Sequence, residues 1–207
     1  MTRPASTIGE KTTLQKHVGY FDLNSDGVLW PIHTFKRVRA LDFHTAFSYP
    51  SLPRPTYTPK TSIFYIIISI PLYILSLVPD PFFRVYIKNI KWDVHGSDSR
   101  AFDPDGNFVD VNFERIFEEH STAPNKDSLS LWETLVMLWN LHSANDHFGP
   151  IASLASWLVA WYLLAPQDGR IPKAHLRTIY DGSGFHSIAK QVALGGKRGR
   201  VDPTLKP

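Results

Sequence analysis

Hydrophobic positions in the first fifty residues recur at helical spacing. Leu14, Val18 and Phe21 stand at i, i+4 and i+7, which predicts a short amphipathic helix ending at the acidic stretch Asp22-Leu-Asn24-Ser-Asp26-Gly27. Beyond it Pro31 suits a first helical turn, and Ile32, Phe35, Val38 and Phe43 interleave with Lys36, Arg37 and Arg39 as a basic amphipathic helix. The order is helix, acidic loop, helix. Pro50, Pro53, Pro55 and Pro59 then predict an extended linker. The run 63–78 follows, uncharged and interrupted only by Ser69, Pro71 and Ser76. At ~1.5 Å per residue it reaches roughly 24 Å, short of the ~30 Å hydrocarbon thickness. Pro71 at its middle and Pro79 and Pro81 beyond its end predict a kinked hairpin inserted in one leaflet, with a buried core helix as the alternative.

The second half returns to helical spacing. After an aromatic stretch with Arg84, Lys88 and Lys91, residues 102–109 read as a tight turn between short strands. Helices are predicted over 112–120, over 128–141 with Leu131, Leu135 and Leu138 on one stripe, and over 174–180. The apolar run 151–164 has the length of a core helix. The tail from Gly195 is basic, rich in Gly and Pro, and without periodicity. These signals divide the chain into a polar N-terminal segment (1–11), a helix-loop-helix unit resembling an EF-hand (12–48), a Pro-rich linker (49–61), a proline-broken apolar hairpin (62–81), a C-terminal region (82–190) and a basic tail (191–207). The fold class expected is mainly α, with short strands in the C-terminal half.

Composition narrows the chemistry. The 207 residues contain no cysteine, which excludes thiolate zinc sites, iron–sulfur clusters, nucleophilic Cys and thiolate-ligated haem. A bound transition metal must use His or carboxylate, and nine histidines are available. The net charge of +3 is too small to argue for nucleic acid, and a lipid headgroup surface is equally compatible. Residues 1–11 lack the apolar core of a secretory signal. No Gly-rich dinucleotide fingerprint is present.

Counting Asp22 as the first position of a calcium loop puts Asn24 third, Asp26 fifth, Gly27 sixth and the Val28 carbonyl seventh. A hard cation needs such converging oxygens. The twelfth position, where a bidentate Glu normally closes the sphere, is His33, and the loop reads either as a calcium site or as a retained turn. Phe102-Asp103-Pro-Asp105-Gly106 has Ala101 at the first ligand position and reads as a structural turn. Gln167-Asp168-Gly169 has Leu164 there and reads as a degenerate partner hand or a turn.

Several separated motifs in order closely resemble the caleosin family over residues 9–190. They are Leu14-Gln-x-His17-Val-x-x-Phe21-Asp22-x-Asn-x-Asp-Gly, the proline-broken apolar segment, Pro81-Phe-Phe, Tyr86-Ile-x-Asn-Ile90, His95-Gly-Ser-Asp-Ser99 and Tyr180-Asp-Gly-Ser183. The resemblance implies a monotopic protein of the lipid droplet and endoplasmic reticulum membrane, with calcium and haem as cofactors. It further implies a peroxygenase that transfers oxygen from fatty-acid hydroperoxides to unsaturated fatty acids, without NAD(P)H. His17 and His95 match the family's two haem-associated histidines and are the catalytic and haem-binding candidates. Asp22, Asn24, Asp26 and Val28 are the calcium candidates. The alternative reading is a non-enzymatic, calcium-responsive lipid-droplet coat protein. His33 departs from the acidic residue usual in the family.

Overall fold

The computed structural model describes residues 10–43, 82, 84–147, 149–166 and 168–195. The linker 49–61 and the apolar hairpin 62–81 lie outside them, as does the tail beyond 195. Helix α1 (Thr13–Gly19) opens in a capping box: Thr12 Oγ1 accepts from the Gln15 N–H at 3.3 Å, and Gln15 Oε1 accepts from the Thr12 N–H at 3.0 Å. Two donors that no helical carbonyl can reach are thereby satisfied. The chain passes through the acidic loop into β1 (Val28–Leu29) and α2 (Pro31–Ala40), with Pro31 at the first helical position.

Strand β1 pairs antiparallel with β2 (Val85–Tyr86), Val28 opposite Tyr86 and Leu29 opposite Val85. The Gly27 carbonyl accepts from the Ile87 N–H at 2.9 Å. The acidic loop is thus tied to residues on the far side of the linker and apolar run. A 3₁₀ segment (Ile87–Asp93) follows and packs on α1. In the 102–109 turn Phe102 and Phe108 form an antiparallel bridge. Asp103 Oδ1 closes the turn by accepting from the N–H groups of Asp105 at 2.9 Å and Asn107 at 2.8 Å.

The remaining elements are α3 (Asp110–His120), β3 (Ser128–Ser130), α4 (Leu131–Leu141), α5 (Gly149–Leu164), β4 (Arg170–Pro172), α6 (Lys173–Asp181) and α7 (Ser183–Ala193). The fold is mainly helical with short strands, as the hydrophobic pattern predicts. Phe113, Ile116 and Phe117 of α3, Met137 of α4, Trp157 and Leu163 of α5, Leu176 of α6 and Ile188 of α7 bury into one core. Tyr20 and Leu41 of the front unit join the same core.

Three expectations are corrected. The helix predicted from residue 128 begins at Leu131, because Ser128–Ser130 pairs with β4 and Ser130 caps the helix. Leu131 and Leu135 do not share a buried stripe with Leu138. Glu133, Thr134 and Met137 point inward and both leucines are exposed, because the Ser130 cap and the Glu133–Arg170 ion pair fix the helix's rotation. The helix predicted over 174–180 is present as α6 but is not the last: Gly182 at φ 83° makes a left-handed corner and α7 runs on to Ala193, past the expected start of the tail.

The β3–β4 register places Leu129 opposite Ile171. Counted from Leu164, Ile171 is the eighth loop position; counted from Thr122, Leu129 is the eighth and Glu133 the twelfth. Leu29, eighth from Asp22, is strand-paired in the same way. In the β3–β4 pair a built-in cation lies between the loops. The Arg170 guanidinium donates to Glu133 Oε2 at 2.7 Å and to the Ser128 carbonyl at 3.1 Å.

Candidate functional site

Helix α1 seats His17 against the corner between α6 and α7. Its Nδ1 lies 2.7 Å from the Ile179 carbonyl oxygen. A carbonyl only accepts, so the proton is on Nδ1 and the Nε2 lone pair is left available. The ring meets Phe185 edge to face at 5.0 Å. Burial lowers the His17 pKa below the ordinary imidazole value, against the opposing pull of the Ile179 carbonyl and the Asp181 charge, so the ring is neutral at pH 7. This docking depends on Gly182. A Cβ there would fall 2.9 Å from both the His17 Cα and the Lys16 carbonyl oxygen.

His95 occupies a second, separately built position. Its Nδ1 is 3.3 Å from Asp146 Oδ2, an ion-pair distance without hydrogen-bond alignment. Asp146 is held by the N–H groups of Ser97 at 2.9 Å and Gly149 at 2.6 Å. Burial pushes its carboxyl up, but these bonds, the Ser97 side chain and the neighbouring His95 outweigh that and hold it below the usual carboxylate range. Ser153 Oγ donates to the Ser97 carbonyl at 2.9 Å and fixes the loop onto α5. Gly149 has no side chain to spare, since a Cβ would fall 2.5 Å from His95 Nδ1.

Tyr180 joins the two positions. It follows Ile179, the His17 partner, and its hydroxyl donates to Ser99 Oγ at 2.9 Å at the end of the His95 motif. The Ser99 hydroxyl in turn donates to Asp98 Oδ1 at 3.2 Å. Burial raises the Tyr180 pKa far above the ordinary phenol value, and the Asp98 charge adds to it, so the phenol stays protonated. Among the described residues no hydrogen bond or ring contact joins the two imidazoles themselves.

In the acidic loop Asp22 is 5% exposed. Its Oδ2 accepts from the Gly27 N–H at 2.9 Å, while Oδ1 is buried with no hydrogen-bond partner. Asp26 is occupied: Oδ2 accepts from Asn24 Nδ2 and Oδ1 from the Val28 N–H, each at 2.8 Å. Those contacts, Asn24's first, hold its carboxyl below the usual range. The closing residue, His33, has a buried Nδ1 without a partner. Among the described residues no group of three or more His, Asp or Glu side chains converges closely enough to hold a metal ion. Of the basic residues on α2, Lys36 and Arg39 face outward, whereas Arg37 turns in and lays its guanidinium 4.8 Å from the Tyr20 ring centroid.

Asp146, Ser153 and Gly149 went unread in the sequence because no spacing rule links them to His95. Tyr180 and Gly182 were visible as a motif, without any signal of what they touch.

A cysteine-free helical chain that fixes one imidazole through Nδ1 and sets a carboxylate beside another is a protein equipped for histidine ligation or proton transfer. The chain belongs to the caleosin family: it matches the family described as Caleosin related protein over residues 9–189. It is 33% identical over 185 residues to an Arabidopsis thaliana protein named probable peroxygenase 4, covering 88% of each chain. It is 30% identical over 195 residues to a Lilium longiflorum protein named peroxygenase, covering 88% of this chain and 72% of that one. A third relative, an Arabidopsis thaliana protein named probable inactive peroxygenase-like protein, is 31% identical over 100 residues, 48% of each chain. No solved structure matches.

Proposed function

We propose that this chain is a haem-dependent peroxygenase that transfers oxygen from fatty-acid hydroperoxides to unsaturated lipids, by epoxidation or hydroxylation, at a lipid-droplet or endoplasmic reticulum membrane surface. The peroxygenase names of its relatives support the reaction class. The observation that carries the haem reading is the Nδ1–H bond from His17 to Ile179. That bond fixes the tautomer and leaves Nε2 as a neutral donor, the form in which imidazole ligates iron. The proton-transfer role goes to His95, whose Nδ1 stands 3.3 Å from the Asp146 carboxylate and whose Nε2 is the nitrogen assigned to the hydroperoxide proton.

Haem, when bound, supplies the cleavage of the hydroperoxide O–O bond, after which one oxygen goes to the acceptor and the hydroperoxide leaves as an alcohol. This balance needs no external reductant. The proline-broken run 63–78 brings the site to substrate dissolved in lipid. In the same proposal Asp22, Asn24, Asp26 and the Val28 carbonyl hold calcium, an oxygen donor set suited to a hard cation, with the unpaired Asp22 Oδ1 awaiting it. A nitrogen at position 33 replaces the closing carboxylate, so affinity is weak.

The test uses detergent-purified full chain expressed with haem supplied, a visible spectrum, and turnover of a fatty-acid hydroperoxide with an unsaturated acceptor. His17→Ala loses the Soret band. His95→Ala keeps it and loses roughly 10²-fold or more of turnover, the scale of a removed general base. A Soret band and full turnover in both variants overturn the assignment. A wild-type chain with neither haem nor turnover leaves the coat-protein reading, in line with the relative named inactive.

A further inference from the structure

Helices α4 and α5 pack on each other, and their inner faces enter the common core through Met137, Trp157, Ala160 and Leu163. Their outer faces are apolar as well. Trp132, Val136 and Trp139 form one stripe on α4, with the two indoles 73% and 82% exposed. Ile151, Leu154 and Leu158 form the matching stripe on α5, with Ile151 65% exposed. From Thr134 to Pro166 the sole Asp, Glu, Lys or Arg is Asp146, which is tied down beside His95. Two neighbouring helices that leave large apolar side chains in water on one side, with no charge among them, mark an interaction surface.

The point from which the chain runs on toward the uncharged stretch supports lipid as the occupant. Tyr162, one turn beyond Leu158 on α5, donates its hydroxyl to the Asp42 carbonyl at 2.9 Å and stacks at 4.5 Å on Phe43. Residues 44–81, which contain the uncharged run 63–78, therefore depart from the end of the α5 stripe. On the membrane reading the run 63–78 enters lipid, and the 19 residues between Phe43 and Ile63 tether that lipid layer within reach of this face. Indole suits that boundary, with an apolar body and an N–H left for the headgroup layer.

We propose that the outer face of α4 and α5 is a second lipid-contacting surface, seated at the acyl boundary of a phospholipid layer in parallel with the run 63–78. This rests on the membrane reading given above. It predicts that the site's second half, and with it His95, is held close to the lipid by folded helices as well as by the hairpin.

The chain has no cysteine, so single nitroxide labels can be placed cleanly. Val136→Cys and Leu158→Cys sample the face, and Glu118→Cys at an exposed position of α3 is the control. The probe is the full chain on phosphatidylcholine vesicles, with each label's accessibility to oxygen and to an aqueous nickel chelate read by power saturation. Labels at 136 and 158 become oxygen-accessible and nickel-protected, while 118 stays in water. In a separate arm Val136→Lys with Leu158→Lys lowers vesicle partitioning by about tenfold, the cost of charging an interfacial apolar face. A vesicle-bound chain whose labels at 136 and 158 remain nickel-accessible overturns this inference and leaves the membrane reading intact. A chain that stays in the supernatant overturns both. Labels already immobilised before vesicles are added place residues 63–78 or a second copy on the face, and overturn the lipid assignment.

Discussion

Glu133 is almost fully enclosed and ionised. Burial pushes its carboxyl up, but the Thr122 hydroxyl, the Ser130 and Thr122 N–H groups and the Arg170 guanidinium outweigh that and bring it from 4.5 to about 2. Because the folded value lies below the unfolded one, the contribution to stability is complete above pH 4.5 and is lost as pH falls through 2. The size of the shift corresponds to about 3 kcal/mol. Arg170→Ala leaves that carboxylate enclosed without its counter-charge, at a cost of roughly 3 kcal/mol at pH 7. Urea unfolding at pH 7 and pH 3 checks this: the gap between variant and wild type narrows at the lower pH as Glu133 takes up protons. A variant as stable as wild type at pH 7 removes Arg170 from its role. None of this is visible along the chain, where Glu133 reads only as an acidic residue early in a helix. The acidic loop is different, since Asp22, Asn24, Asp26 and Val28 fall within one turn of chain and their spacing alone carries the reading.

At the scale of elements, α1 is positioned by the corner between α6 and α7. Gly182 adopts φ 83° there and passes directly beneath His17. Gly182→Ala brings both a left-handed backbone penalty and a clash with α1, about 1–3 kcal/mol together. Its melting temperature falls by several degrees, and on the haem reading proposed above haem content falls with it, because the His17–Ile179 bond is disturbed at a distance. Thermal unfolding and the Soret-to-protein ratio measure the two effects, and an unchanged ratio separates Gly182 from the site. Helices α1, α2 and α3 were legible because their apolar positions recur on one face. The inward face of α4 was not, because the Ser130 cap and the β3–β4 pairing set its rotation. Helix α7 was missed because Gly-Ser-Gly reads as a terminator, whereas tertiary packing uses it to turn a corner.

At the scale of the molecule, a single core runs from Tyr20 and Leu41 through α3 to α7. The front unit and the C-terminal region therefore share their packing, and a single cooperative unfolding transition is the expected outcome. In the membrane reading proposed above, attachment divides differently, between the run 63–78 and the outer face of α4 and α5. Deleting 63–78 from the full chain lowers flotation with phosphatidylcholine vesicles without abolishing it, and adding Val136→Lys and Leu158→Lys to the deletion abolishes it. Complete loss on deletion alone assigns all attachment to the run.

The sequence by itself determined what depends on near neighbours: the amphipathic helices, the acidic loop, the uncharged run, and the ordered motifs that place the chain among caleosins. These features are written in local spacing, where period and ligand count can be read directly. Only the tertiary structure decided which carbonyl fixes the His17 tautomer, which carboxylate stands behind His95, and which sides of α4 and α5 remain outside the core. Each of those depends on residues far apart in sequence, brought together by packing that no local period encodes.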